Sequence, residues 1–593
     1  MKLSPTRIRL LALLLCCALA WCVDAMSSHR AASRQVVIAP RVELAQPLNT
    51  DVCPRPSAGS LIPEPEDLRS QNGRLEVDFT YRNYVDANGQ MRYCYLYRDG
   101  NQAPTLRLHP GDWLVLRLRN ELKPPESSAP HHHAGMSMPA ADGPCGGVAM
   151  GPWATNLHFH GLTVPPVCHQ DDVLNTYIAP GGKPFEYRLQ IPRDEPPGLY
   201  WYHPHVHGYT NAQVQGGASG ALIVEGIERA NLQLGGMPER VFIIRDQELL
   251  NPDAQPATTS SVPPPPVNID PEGDVLNQRS GGGKPAKDLS INFVPVPYPD
   301  YPPALIKMKP RAKELWRVLN ASAVTYLGLE VLFDGQASPL AEVSVDGVPV
   351  NENDPAVNRV RWATHLDVPP GGRVEFALQG PAKGVQAQLI TRFVDTGTAG
   401  ENDPDRPLAT IVASDDAPDA PSVLPASPLK PMSISRAWLG NVRPVRVRKL
   451  YFSENPSDPK DPKSPTVFML TVEGQKPAPY DMNSRVPNIV ARQGDVEDWI
   501  IENRTPELHA FHIHQLHFLL LQSNGSPVNE PYLRDTVSVG FWTGAGGYPS
   551  VKLRMDFRDP NMIGTFVYHC HLLDHEDGGM MGTIRIDPAS KKR

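Results

Sequence analysis

The sequence has no surplus of positive charge: 56 Lys and Arg stand against 64 Asp and Glu, a formal net charge of −8 over 593 residues. A polyanion binder must neutralise phosphates with cations, so this balance argues against a nucleic-acid partner. Past the N-terminus no apolar run reaches the length that crosses a bilayer, so no membrane span is expected in the mature chain. Long stretches free of Gly and Pro are also missing. The 46 Gly and 65 Pro interrupt Val, Ile, Leu and aromatic runs throughout, which disfavours long helices and suits short strands joined by turns. At 40% hydrophobic content the chain is too long for one core and reads as several domains of an all-β class.

Cysteine is scarce. Of eight, Cys16, Cys17 and Cys22 fall in an N-terminal segment that carries Lys2, Arg7 and Arg9, an apolar run from Leu10 to about Val23, and small residues at Val23 and Ala25. That is the profile of a signal peptide over residues 1–25, and it predicts export to the periplasm or the exterior. No twin-arginine pair precedes the run, which favours the general export route. Five cysteines remain: Cys53, Cys94, Cys145, Cys168 and Cys570. Four can form two disulfides in any of three pairings, of which Cys53 with Cys94 and Cys145 with Cys168 close the shortest loops. One cysteine is left over.

What the chain does have is repetition. Gly111-Asp112 with Trp113 and Asn120, Trp316 with Asn320, and Gly494-Asp495 with Trp499 and Asn503 form three copies of a turn feeding an apolar strand that ends on Asn. Arg311 takes the Gly position in the middle copy. A second echo sets Pro180-Gly181-Gly182 before Phe185-Glu186-Tyr187 against Pro370-Gly371-Gly372 before Val374-Glu375-Phe376. Repeats nearly two hundred residues apart indicate duplicated whole domains, here three β-sandwiches. Pro-rich stretches at Ser261 to Pro266 and Ala417 to Pro431 suggest an insertion and a linker. The expected domains span 36–227, 236–415 and 430–587.

Ten of the 19 histidines fall in four segments: His158-Phe-His160, His203-Pro-His205, His509-Ala-Phe-His512-Ile-His514, and His569-Cys570-His571 followed by His575 and Met580. Alternate side chains of a strand share a face, so each His-x-His presents two imidazoles together. Four such pairs supply eight neutral nitrogens, two pairs from the first repeat and two from the third. They suit several copper ions that keep positions open for oxygen. The same alternation turns Cys570 to the opposite face, where it can join His509, His575 and Met580. Two imidazoles, a thiolate and a weak thioether form the blue-copper ligand set, and this use accounts for the unpaired cysteine.

At these residues the chain resembles the three-domain multicopper oxidases: laccases, spore-coat laccases, bilirubin oxidases and bacterial copper-efflux oxidases. The run His569-Cys-His-Leu-Leu-Asp-His-Glu-Asp-Gly-Gly-Met580 carries the resemblance most specifically, and Tyr202-His-Pro-His-Val-His207-Gly is most similar to bacterial members. The resemblance implies three consecutive cupredoxin-like Greek-key domains and four copper ions. By motif the type 1 ion falls to His509, Cys570, His575 and Met580, and the type 2 ion to His158 and His512. The coupled type 3 pair falls to His160, His203, His205, His514, His569 and His571. The second domain is implied to hold no ligand and to shape the substrate-facing surface. Proton relay is implied at Glu576 and at either Asp171 or Asp172, in a segment longer than the common form. Ala510 departs from the family's usual Pro.

The implied activity is one-electron oxidation of a reductant near His575 or His509, with transfer through Cys570 to His569 and His571 and four-electron reduction of dioxygen to water. Phenols and arylamines are the expected reductants. Cuprous ion is the alternative, because His131, His132, His133, Met136 and Met138 form a short soft-ligand cluster before the first copper motif. A non-catalytic cupredoxin-like binding protein of the envelope is the rival of another class, and the full ligand set argues against it.

Overall fold

The computed structural model describes residues 52–98, 100–124, 145–146, 150–254, 267–350, 360–424, 437–530 and 532–589. The expected signal peptide, the start of the first domain at 36, the Ser261 to Pro266 insertion and the His131 to Met138 cluster lie outside them. Within the described residues six sheets pair face to face as three β-sandwiches in chain order, with strands running from Asp67 to Val224, Glu239 to Ala413 and Arg446 to Asp587. Each pair of sheets closes on its own apolar core. Phe79, Leu116 and Leu222 lie in the first, Phe242, Trp316 and Leu389 in the second, and Phe452, Trp499 and Phe566 in the third.

The threefold repeat read from the sequence recurs as geometry. The strands Trp113–Asn120, Lys313–Asn320 and Val496–Asn503 each pair in parallel with the first long strand of their own sandwich. The turn before each strand places Gly111, Arg311 and Gly494 at positive φ, of +94°, +56° and +102°. In the middle copy, therefore, an arginine adopts the left-handed backbone that glycine adopts in the others. The closing Asn clamps its turn identically: Asn120, Asn320 and Asn503 each donate to two carbonyls and accept a backbone N–H two residues on. The tryptophans divide. Trp316 and Trp499 are fully buried, whereas Trp113, seven residues before its Asn instead of four, is exposed and Leu116 fills the core position.

The second echo also recurs, as Gly181 and Gly371 donate their N–H groups to the carbonyls of Asn120 and Asn320 at 2.9 Å. The cysteines pair as Cys53–Cys94 and Cys145–Cys168, and Cys570 is free and buried. The first half of the expected linker is anchored to the second sandwich, since Val423 donates its N–H to Met237 and Glu239 donates to Pro421. No helix of the described residues is long and apolar enough to cross a membrane.

Candidate metal centres and the cavity beside them

Two short strands from each of the outer sandwiches, with His205, His514 and His571 just past their ends, supply the histidines. In the first, His158–His160 lies antiparallel to Gly198–His203 with His158 opposite His203. In the third, His509–Ile513 lies antiparallel to Gly564–Cys570 with His512 opposite His569. The two histidine sets meet face to face. His158 stacks on His514 with ring centroids 3.6 Å apart, and His160 stacks on His512 at 3.9 Å. Nε2 of His569 lies 3.3 Å from Nε2 of His514 and 3.4 Å from Nε2 of His205. All eight imidazoles are at most 3% exposed.

Their protonation follows from that burial. Desolvation, then the neighbouring imidazoles, drive His160, His203, His205, His512, His514 and His571 well below the ordinary histidine range; burial takes His569 down to about 3. These rings are neutral and free to ligate. Several are also fixed through one nitrogen and open at the other. Nδ1 of His158 meets Asp171 at 3.0 Å, Nδ1 of His203 meets the Pro204 carbonyl at 2.9 Å, and Nδ1 of His512 meets the Asp535 carbonyl at 2.9 Å. Nε2 of those three rings, Nδ1 of His160 and His514, and both nitrogens of His571 have no hydrogen-bond partner. A buried polar atom left so costs about 1–3 kcal/mol. Six such rings in one pocket would consume most of a typical folding stability of roughly 5–15 kcal/mol. A metal accepting those lone pairs removes the conflict, so the donor set fits a cluster of nitrogen-ligated ions.

A second group lies on the other face of the same strand. Sγ of Cys570 is 3.5 Å from Nδ1 of His509 and 3.9 Å from Nδ1 of His575, and the two nitrogens are 3.3 Å apart. These three atoms bound a triangle that one ion can bridge. Burial pushes the Cys570 thiol up and drives His509 and His575 down to about 3. The thiolate therefore needs a cation beside it, as a coordinating metal supplies. Met580 is fully buried in the same core, and its carbonyl accepts the Cys570 N–H at 3.0 Å. Another cysteine-containing group, Cys145, Cys168 and His169, has both sulfurs in a disulfide.

The acids sort themselves by contact. Asp171 reaches the cluster, accepting from the Phe159 N–H at 3.1 Å as well as meeting His158. Asp172 turns away to Asn175, and burial raises it to about 6. Glu576 lies 3.5 Å from Nδ1 of His205 and 3.8 Å from Nδ1 of His569, accepts from the Thr210 hydroxyl at 3.2 Å, and is held well above the carboxylate range by burial.

Four features could not be placed at the site from the sequence. Asp535 lies 3.2 Å from Nε2 of His160 and forms a two-pronged ion pair, at 2.6 and 2.7 Å, with Arg373 of the second sandwich. Gly371, in the turn before Arg373, sits so close to His571 that a Cβ there would fall 2.7 Å from its Nε2. The middle sandwich thus buttresses the cluster. At the second group, Nε2 of His509 lies 2.9 Å from the Thr505 hydroxyl and 3.0 Å from Glu454. Finally, a cavity of about 480 Å³ between the second and third sandwiches is lined by His575. His509 does not line it, so His575 is the imidazole of this group that faces the cavity.

Three cupredoxin-like sandwiches, with one thiolate-imidazole group and one imidazole cluster back to back on a single strand, define a redox metalloprotein. Two profiles described as multicopper oxidase match residues 149–229 and 459–590. The multicopper oxidase mco of Staphylococcus haemolyticus is 22% identical over 530 residues, 88% of each chain. The laccase of Bacillus subtilis is 21% identical over 470 residues, 73% of this chain and 80% of its own. A solved multicopper oxidase of Campylobacter jejuni, described as a metallo-oxidase, has a TM-score of 0.60 at 22% identity and covers 90% of this chain and 96% of that one. The chain belongs to the multicopper oxidase family, and it is a copper-dependent oxidoreductase that takes dioxygen as acceptor and needs a reducing substrate.

Proposed function

We propose that the chain is a four-copper oxidase of the laccase type, which takes single electrons from a small reductant at His575 and reduces dioxygen to water at the eight-histidine cluster. In this reading His509, Cys570, His575 and Met580 hold the type 1 ion and His158 and His512 the type 2 ion. His160, His203, His205, His514, His569 and His571 hold the type 3 pair. When bound, copper supplies one-electron redox change and a site for dioxygen. The observation that carries the reading is the placement of Cys570 between His569 and His571, with its sulfur against His509 and His575. One strand then joins the group that faces the reductant to the cluster that faces dioxygen.

The chain's own residues do the rest. Asp171 and the Pro204 and Asp535 carbonyls fix ring orientation, so that the open nitrogens converge. Glu576, between His205 and His569, is the acid that hands a proton to the dioxygen side, and of the adjacent pair Asp171 is the one in contact with a cluster histidine. Two disulfides support export to the periplasm or the exterior. Phenols and arylamines enter as reductants through the resemblance to laccases, and cuprous ion through the soft-ligand cluster of His131, His132, His133, Met136 and Met138 in the sequence.

Metal analysis with oxygen-uptake measurement tests the reading. The expected result is four copper ions per chain and one dioxygen consumed per four electrons supplied, without peroxide. A copper-replete chain that consumes no dioxygen with any donor contradicts it.

A further inference from the structure

A second cavity, of about 140 Å³, lies between the first and third sandwiches and runs from the exposed Ser484 and Arg485 inward to His205. Of the eight cluster imidazoles only His205 lines it, and at 3% His205 is the most exposed of the eight. The cavity therefore joins the surface to the cluster. Its walls differ in chemistry from those of the cavity beside His575. That one is lined by six carboxylates, whereas this one has none, and Arg485 is its one charged side chain.

Three methionines, Met150, Met482 and Met581, line this cavity together with His207. Methionine is ordinarily a filler of apolar cores. Met150 and Met482, however, are only half-buried and share their wall with the polar Asn175, Ser484 and Thr583. His207 stands edge-on to Tyr480, with ring centroids 5.2 Å apart, and its buried Nδ1 has no hydrogen-bond partner. Such an atom is costly to leave unpaired. The segment Tyr202-His-Pro-His-Val-His207-Gly thus carries a third imidazole that the eight-histidine cluster does not use. Thioethers and imidazole are soft donors, which hold cuprous ion in preference to hard ions that need carboxylate or water oxygens. The Arg485 guanidinium repels a cation in proportion to its charge, so a monovalent ion is favoured over a divalent one.

We propose that Met150, Met482, Met581 and His207 form a transit site for a soft monovalent ion, through which cuprous ion passes to His205 when the cluster is filled. The proposal rests on the reading of the eight histidines as a copper cluster. No electron moves in the transfer; thioether ligands are exchanged for imidazole nitrogens.

Silver ion is the probe, since it is monovalent and soft and donates no electron to the oxidase. Calorimetry of the copper-loaded full chain should show silver binding that zinc ion does not displace. Met150→Leu combined with Met482→Leu, which nearly conserves volume, should lose one bound silver ion per chain relative to the parent. A second measurement follows anaerobic uptake of cuprous ion by the copper-free chain. Filling of the cluster, read by metal analysis and by the type 2 paramagnetic signal after exposure to air, should slow by about 10-fold, the effect of roughly 1.4 kcal/mol on the barrier. Oxygen uptake of the fully loaded variant should equal that of the parent. His207→Gln gives a separate variant should the methionine pair disturb folding. Silver stoichiometry or loading rates equal to the parent's in both variants overturn the proposal and leave the oxidase reading standing. A parent chain whose histidine cluster takes up no copper overturns both.

Discussion

Arg373 of the middle sandwich clasps Asp535 of the third with both ends of its guanidinium, at 2.6 and 2.7 Å, and both side chains are fully buried. Arg373 is held above its ordinary range by Asp535 and Asp346 in spite of its burial, and Asp535 is held below its own by Arg373. Each charge is therefore retained through the other. Removing one member leaves an uncompensated buried charge, which costs about 3–5 kcal/mol. Arg373→Met should lower unfolding stability by that order. It should also disturb the type 2 paramagnetic signal through the Asp535 carbonyl that holds the His512 ring. Denaturant unfolding and paramagnetic resonance of the variant check both effects.

Gly371 supplies a narrower probe of the same buttress. Its φ of +79° strains any other residue by about 1–2 kcal/mol, and a Cβ there would press on the His571 ring. Gly371→Ala should reduce oxygen uptake while the blue absorption of the Cys570 group stays intact. Uptake equal to that of the parent chain would show that His571 has room to move.

Glu195 is not one of the proposed copper ligands and tests the electrostatics of burial. It is 2% exposed with one unpaired oxygen, and desolvation raises it from 4.5 to about 8. The folded chain thus binds a proton that the unfolded chain releases, so this contribution is complete below pH 4.5 and is lost as pH rises through 8. Glu195→Gln, which needs no proton, should gain on the parent by about 1.4 kcal/mol per pH unit across that window. Unfolding curves at pH 5 and pH 8 give the comparison.

Copper removal should destabilise the chain well beyond the loss of its activity. Seven buried ring nitrogens without partners lose their acceptor ion, and binding to the folded state alone raises its stability. Calorimetry of chelated and reloaded protein should show a lower, reversible melting transition for the chelated form.

The histidines were legible in the sequence because strand alternation is a rule of two residues: His158 and His160, or His569 and His571, need only i and i+2 to share a face. The threefold repeat was legible for a similar reason, since Asn120, Asn320 and Asn503 clamp turns within their own neighbourhoods. Arg373 and Asp535, by contrast, are separated by 162 positions, and neither stands in a pattern. The cavity carboxylates run from Asp270 to Asp574, and only the packing of two sandwiches gathers them. The choice between Asp171 and Asp172 was closed to sequence reasoning because the loop conformation alone decides which side chain turns toward His158.

The central claim is that Cys570 joins the two metal centres, and the most direct test is Cys570→Ser in copper-loaded protein, followed by absorption and oxygen uptake with a single reductant. The account predicts loss of the blue absorption and of oxygen uptake, with the copper of the eight-histidine cluster retained. Blue absorption or undiminished oxygen uptake in that variant would contradict it.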